Sequence, residues 1–342
     1  MLKWSGSRYL IGAILLFFAA GPFIGYLRLD NAGYQQTFAL AFCFGALALT
    51  YDLLFGFTGL LSFGHALFVA SGAYITAIAV NRFGWSLLIA ALFAIAVTWI
   101  LATLIGFASL RTGGITFAMV TLAFGEAGHV IIGKNFGGWT NGENGLPIQA
   151  DLIPQFLVGV ANTKYLYWMA LALLVLIYLA AWWITESSAG RVWQGLRDNE
   201  VRVSVLGLNP ARFKLLAFVV SATLASMIGV MLLLIQGLAT PRLATAEVTI
   251  ALLLAVIIGG AATRWGAVLG GVIYSLASNR LQDLNQGELV SGLPTFISGP
   301  LSEPTFILGL IFILIVMFAP GGISGAYYRS RLKYLTKKIS QG

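Results

Sequence analysis

Residues 212–237 read RFKLLAFVVSATLASMIGVMLLLIQG. From Leu215 to Ile235 the stretch carries no charge, and its apolar residues show no strict alternation. About 20 apolar residues suffice to cross the ~30 Å hydrocarbon core of a bilayer as a helix. Lipid offers the backbone no hydrogen bonds, so only a helix or a closed barrel can span it, and the missing period-2 pattern selects the helix. Similar apolar segments lie at 9–27, 35–55, 65–80, 85–108, 114–133, 164–184, 248–263, 266–282 and 305–319. The sequence therefore predicts an all-α integral membrane protein, a polytopic helical bundle of about ten spans. Segments 65–80 and 248–263 are short for a bilayer, which predicts tilted, buried or re-entrant helices there.

Composition agrees. Of 342 residues, 59% are hydrophobic and 9% charged, with mean hydropathy +0.89. A soluble domain carries about 25% charged residues, and this chain could not cover a water-facing surface with so few. The single cysteine, Cys43, sits in an apolar run, which excludes an intrachain disulfide and supports no thiolate metal site. His65 and His129 are too far apart for a local metal-ligand pattern, so no metal site is expected. The net charge of +8 is scattered between apolar runs and is read as an orientation signal rather than a nucleic-acid surface.

Orientation follows from Lys and Arg. Ala19-Ala20-Gly21 resembles a signal-peptidase site, but run 9–27 is long enough to span and is read as an uncleaved first helix. With a cytoplasmic N-terminus and ten alternating spans, the inner side collects Lys3, Arg8, Arg111, Arg191, Arg197, Arg202, Arg212, Lys214, Arg264, Arg329, Arg331, Lys333, Lys337 and Lys338, fourteen in all. The outer side collects six: Arg28, Arg82, Lys134, Lys164, Arg242 and Arg280. That asymmetry is the one the positive-inside rule demands, and it places both termini in the cytoplasm. The chain reads as one membrane domain, 1–342, with a cytoplasmic segment 185–211 and external segments 134–163 and 283–304. None reaches the ~50 residues at which soluble domains begin.

The cytoplasmic segment, TESSAGRVWQGLRDNEVRVSVLGLNPA, spaces Val192, Leu196, Val203 and Leu206 so that they share one face of a single amphipathic helix of about 15 residues. Gly207 is its expected C-cap and Pro210 ends it. Such a helix can lie on the membrane, pack on its own domain or dock into a partner's groove. Its mixed charge argues against a simple anionic-lipid anchor.

Other motifs carry less. Gly128 to Lys134 matches the first part of a P-loop, but Asn135 stands where Ser or Thr is required and the match falls in a span, so no nucleotide site is expected. Phe57 to Gly64 breaks helical propensity between two spans, and its glycines suit either close helix packing or unwound backbone lining a cavity. Asp52 and Glu126 are the acids deepest within spans; an ionisable residue there is costly and marks a functional candidate, although both lie near predicted span ends. His65 reads as a hydrogen-bonded residue at the bend. With Asp52, Gly56, Gly59, Ser62, Gly64 and Glu126 it makes up the candidate translocation path. Gly137 to Gly145 packs four glycines and two asparagines into nine residues, which is turn chemistry. On the outer side, Gly138, Asn141 and Asn144 are candidates for an external gate or a contact with a binding protein. Gly266-xxx-Gly270 permits close helix approach within the chain or between subunits.

Four stretches together carry a resemblance. Tyr51-Asp-Leu-Leu-Phe-Gly-Phe-Thr-Gly-Leu-Leu-Ser-Phe-Gly-His-Ala66 continues to Gly72-Ala73-Tyr74; Thr121 to Glu126 precedes the Gly/Asn loop; Gly190-Arg191 runs through Arg197-Asp198-Asn199-Glu200 to Leu206-Gly207; and Gly259-Gly260 leads to Trp265 through Gly270, with Phe318-Ala-Pro-Gly-Gly322 after it. From about residue 31 to 325 the chain resembles the permease subunits of ABC importers for branched-chain amino acids, in particular the LivM type. The resemblance implies a coupling role for the cytoplasmic segment, on Arg191, Leu196, Arg197, Asp198, Asn199, Glu200, Leu206 and Gly207. It implies two ABC ATPase subunits holding ATP and magnesium, a second LivH-like permease subunit, an external substrate-binding protein, and residence in a bacterial or archaeal cytoplasmic (inner) membrane. No cofactor and no enzymatic activity are expected in the chain itself. A urea or short-amide importer subunit is the nearest alternative. A proton-coupled secondary transporter would ordinarily show a chain of intramembrane acids or histidines, where this sequence has isolated ones.

Overall fold

The computed structural model describes residues 31–159 and 162–285 and, near the C-terminus, 306–307, 309–310, 313–314, 317 and 321–329. The expected helix over 9–27, most of the external segment 283–304 and much of the span 305–319 lie outside the described residues.

The described part is a helical bundle. Helix α1 (Ala32–Asp52) is N-capped by Asn31, whose side chain accepts from Gly33 N, and continues through a π-helical turn, Leu53–Phe57. An irregular stretch leads to α2 (His65–Phe83), α3 (Leu87–Ser109) and α4 (Gly114–Gly133). After the glycine-rich loop that follows α4 come α5 (Thr163–Glu186), the short helices α6 (Ser188–Asp198) and α7 (Glu200–Val205), and α8 (Pro210–Gln236), with Pro210 in its first turn. Last come α9 (Ala246–Gly259) and α10 (Arg264–Asn285). Among the described residues six helices are long and apolar enough to cross a membrane: α1 with its π-turn, α2, α3, α4, α5 and α8. Of the two segments read as short, 65–80 extends to Phe83 as α2, 19 residues and long enough to cross, whereas 248–263 forms α9, with 14. At 1.5 Å per residue α9 is about 21 Å long, too short to cross alone.

Helices α1, α2 and α8 are apolar on nearly every face and form the buried centre. Lipid is as apolar as leucine, so close packing rather than water exclusion must hold such helices together. Glycines make it possible. A Cβ on Gly72 of α2 would meet the Ser226 carbonyl of α8, and one on Gly229 of α8 would meet the Val69 carbonyl of α2. Gly266-xxx-Gly270 acts within the chain: Gly266 and Gly270 of α10 lie against the backbone of α9 at Gly259 and Ala255. Buried hydroxyls tie the same helices. Ser221 Oγ donates to the Thr50 carbonyl at 2.5 Å, and Thr50 Oγ1 lies 3.1 Å from His65 Nε2.

By contrast α3, α4 and α5 turn apolar faces outward, with Leu88, Ile115 and Trp183 among the most exposed. The loop after α4 is built on left-handed backbone. Gly137, Gly138, Gly142 and Gly145 have φ of 67°, 71°, 61° and 72°, and Asn141 has φ 61°. Asn135 Oδ1 accepts from the backbone N–H of Thr140 and Asn141. A two-residue strand, β1 (Leu146–Pro147), pairs antiparallel with β2 (Leu238–Ala239) after α8. Asn81 at the end of α2 donates to the Pro147 carbonyl and accepts from Gln149 N, which fastens the loop to the bundle.

The cytoplasmic segment differs from the expected single helix. Asn199, in extended backbone (φ −164°, ψ 105°), breaks it, and its side chain caps α7 by accepting from Arg202 N. The break rotates the second half. Leu196 and Val203 pack inward with Trp193, while Leu206 is 73% exposed and leaves the face it was expected to share. Gly207 follows with φ 83°, in the left-handed conformation expected after a helix.

Candidate functional site

Two regions bring the sequence candidates together. The first is the junction between the π-turn of α1 and α6. Arg197, at the end of α6, donates from Nη1 to the Gly56 carbonyl of the π-turn at 2.6 Å. Gly56 carries no side chain because Asp52 Oδ1 occupies that space, with Ala262 N beside it. Asp52 is fully buried, and its Oδ1 accepts from Ala262 N at 2.8 Å in the tight turn between α9 and α10, where Ala262 has φ 59°. Gly59, with φ 77°, passes under Arg197, whose Cα lies 3.3 Å from the Cβ a larger residue would carry. The acid of α1, the π-turn, the α9–α10 turn and the cytoplasmic helix thus meet at one point.

Further contacts fix α6 and α7. Trp193 is fully buried and donates from Nε1 to the Phe213 carbonyl at 2.9 Å. Gly190 lies on the Thr185 backbone, where a Cβ would not fit. Arg191 donates to the Glu186 carbonyl, Lys214 pairs with Glu200 at 2.6 Å, and Arg264 pairs with Glu186 at 2.9 Å. Such exposed pairs are worth about 0–1 kcal/mol each, so register rests mainly on Trp193 and Arg197. What remains outward on the segment is an apolar end, Val201, Val205 and Leu206, each more than two-thirds exposed, beside exposed Asp198 and Arg202.

The sequence reading missed Trp193, although its spacing of three from Gly190 and from Leu196 marks one helical face.

The second region lies along α4. The irregular stretch after the π-turn reaches it: Phe63 N donates to Thr121 Oγ1 at 3.1 Å, and Gly64 sits against the Thr121 carbonyl. Ser62 and His65 are fully buried, and Ala66 N donates to Thr249 Oγ1 of α9 at 3.1 Å. Higher on α4, His129 Nδ1 lies 3.1 Å from the Pro241 carbonyl in a 3₁₀ turn, Pro241–Ala244, that precedes α9. Glu126 lies between these contacts and faces away from the bundle, exposed. A carboxylate at such depth against lipid costs about 2.5–3.5 kcal/mol on insertion scales. Asp52 and Glu126, alike in sequence, are thus opposite in environment: one is locked in the junction, the other is open. Gly138, Asn141 and Asn144 lie on the exposed side of the loop after α4. Between α2, α3 and α4 a crevice of about 530 Å³ is lined by apolar side chains such as Leu67, Ile75, Leu101, Phe124 and Ile131, with Ser71, Tyr74 and Thr140 and no charged residue. Among the described residues no group of three His, Cys, Asp or Glu side chains could hold a metal ion.

Comparison with known proteins adds the following. A family model described as "Branched-chain amino acid transport system / permease component" matches residues 33–319. The chain is 26% identical to the "High-affinity branched-chain amino acid transport system permease protein LivM" of Escherichia coli K12, over 93% of this chain and 75% of that protein. It is 25% identical to the "High-affinity branched-chain amino acid transport system permease protein LivH" of the same organism, over 85% of this chain and 95% of that one. A solved structure titled "PsaBC from Streptococcus pneumoniae in complex with Fab" aligns with 93% of this chain and 99% of its own at 16% identity, with a TM-score of 0.41, too loose a superposition to bear on the fold.

Proposed function

The chain belongs to the family of branched-chain amino acid transport permeases, and from that premise we propose that it is the LivM-like half of an ATP-driven importer for leucine, isoleucine and valine. It forms the translocation path with a second, LivH-like permease subunit in a cytoplasmic membrane. An external binding protein delivers the amino acid, and two separate ATPase subunits supply the energy.

The observation that supports a driven permease most directly is the cytoplasmic segment. One side of it is fixed to the bundle through Trp193 and through Arg197 on Gly56, and the other presents Val201, Val205 and Leu206 to solvent. An apolar end exposed beside charges suits a groove on a partner. Movement of the ATPase subunits displaces α7, and α6 carries that displacement to the π-turn of α1 and, through Asp52, to the turn between α9 and α10. Rigid elements joined at one point can then switch the path between outward and inward access. The external loop, with Gly138, Asn141 and Asn144 on its surface, is placed to meet the binding protein.

Cells lacking the chain and cells with it restored, given labelled leucine or labelled urea, test the substrate class. The proposal expects restoration of leucine uptake at low external concentration. Restoration of urea uptake alone refutes it.

A further inference from the structure

Helix α4 turns a stripe of five residues away from the chain: Ile115, Met119, Ala123, Glu126 and Val130, spaced by four, four, three and four. Four of them suit lipid and the fifth does not. Glu126 is followed by seven residues to Gly133, the end of the helix, which puts it about 10 Å along the axis from that end. Glutamate lacks the long stem that lets lysine or arginine reach an interface from such a depth. Among the described residues no hydrogen bond or ion pair engages its carboxylate. The cost of a carboxylate in lipid argues against lipid as the neighbour of this face of α4.

A second observation points to what it meets. At the depth of Glu126, non-helical backbone packs on other faces of α4, at Thr121 through Phe63 and Gly64 and at His129 through Pro241. Irregular backbone at membrane depth is tolerated only where it is buried in protein or borders a water-filled cavity, and interrupted helices flank transport sites. The crevice that α4 lines with Phe124, Ala127 and Ile131, next to the stripe, has no charged residue in its lining and does not suit a zwitterion.

We propose that the Glu126 stripe is the wall of the translocation path that this chain contributes opposite its partner permease, and that the Glu126 carboxylate holds the ammonium group of the amino acid in transit. Met119, Ala123 and Val130 then face the branched side chain. The assignment rests on the importer reading and names the substrate contact within it.

The test uses the full importer complex in membranes. Ala123→Cys on the stripe and Leu92→Cys on the lipid-facing side of α3 are exposed to a hydrophilic, membrane-impermeant thiol reagent; the native Cys43 is buried. A water-filled path predicts labelling of Ala123→Cys about ten-fold or more faster than Leu92→Cys, with saturating leucine slowing it. Equal rates overturn the proposal. Glu126→Gln should raise KM for leucine by about 10–100-fold, the loss of one charge-assisted contact, with Glu126→Asp retaining part of the affinity. An unchanged KM in Glu126→Gln also overturns it. The labelling ratio is read without transport, so it stands apart from the importer reading, whose failure would appear as absent leucine uptake by the unsubstituted complex.

Discussion

Replacing Gly56 by alanine perturbs the cytoplasmic junction at its centre. The new methyl would fall on Asp52 Oδ1 and against Ala262 N. Both belong to one hydrogen bond of 2.8 Å; Ala262 N is fixed backbone, so the Asp52 carboxyl must turn away and break the bond. Leaving that buried pair unmatched costs about 1–3 kcal/mol, and the crowding adds about 1–3 kcal/mol. Moving Gly56 also shifts the carbonyl that accepts from Arg197 at 2.6 Å, a charge-assisted bond worth about 1.5–3 kcal/mol. Together these amount to roughly 3.5–9 kcal/mol at the junction, and even the low end moves a local equilibrium by more than about a hundred-fold. The complex should still assemble through α7, whose outward end is untouched. The assay is leucine transported per ATP hydrolysed in proteoliposomes, with Gly113→Ala as the control, since a Cβ at Gly113 meets nothing within 4 Å. Gly56→Ala should hydrolyse ATP with uptake cut at least about ten-fold, the reach of a single lost hydrogen bond. Wild-type uptake at wild-type stoichiometry would refute the idea that this junction transmits motion.

Leu206→Glu should leave the thermal stability of the isolated chain unchanged, because the side chain is exposed, yet weaken co-purification with the ATPase subunits. Gly72→Ala forces α2 and α8 apart at the Ser226 carbonyl and should lower the yield of folded protein in detergent, a destabilisation of about 1–3 kcal/mol or more. Lys214→Ala removes a surface pair and should change stability by less than about 1 kcal/mol in the same melt.

Much of the fold was legible because spanning lipid imposes long uncharged runs. Segments 114–133 and 164–184 match α4 and α5 to within two residues. The external loop was legible for a similar reason, since left-handed backbone calls for glycine and asparagine, and Gly137 to Gly145 supplies them. The cytoplasmic segment was half legible. Its apolar spacing suggested one helix, but Asn199 is a capping residue type followed by Glu200, and that local signal prevails over the periodicity. The junction was not legible as a junction. Asp52, Gly56, Arg197 and Ala262 stand far apart in the chain, and no local pattern announces that their polar groups will meet. The exposure of Glu126 follows from which face of α4 the bundle covers, and the apolar pattern of α4, rich on all sides, does not fix that face.

The central claim is a permease driven by ATP hydrolysed elsewhere. Its most direct measurement is the uptake of labelled leucine by vesicles containing this chain, its partner permease, the ATPase subunits and the binding protein, with and without ATP inside the compartment that faces the ATPases. The account predicts uptake that requires ATP and vanishes when either the ATPases or the binding protein is left out. Leucine accumulation by the chain alone, driven by a proton gradient without ATP, would contradict it.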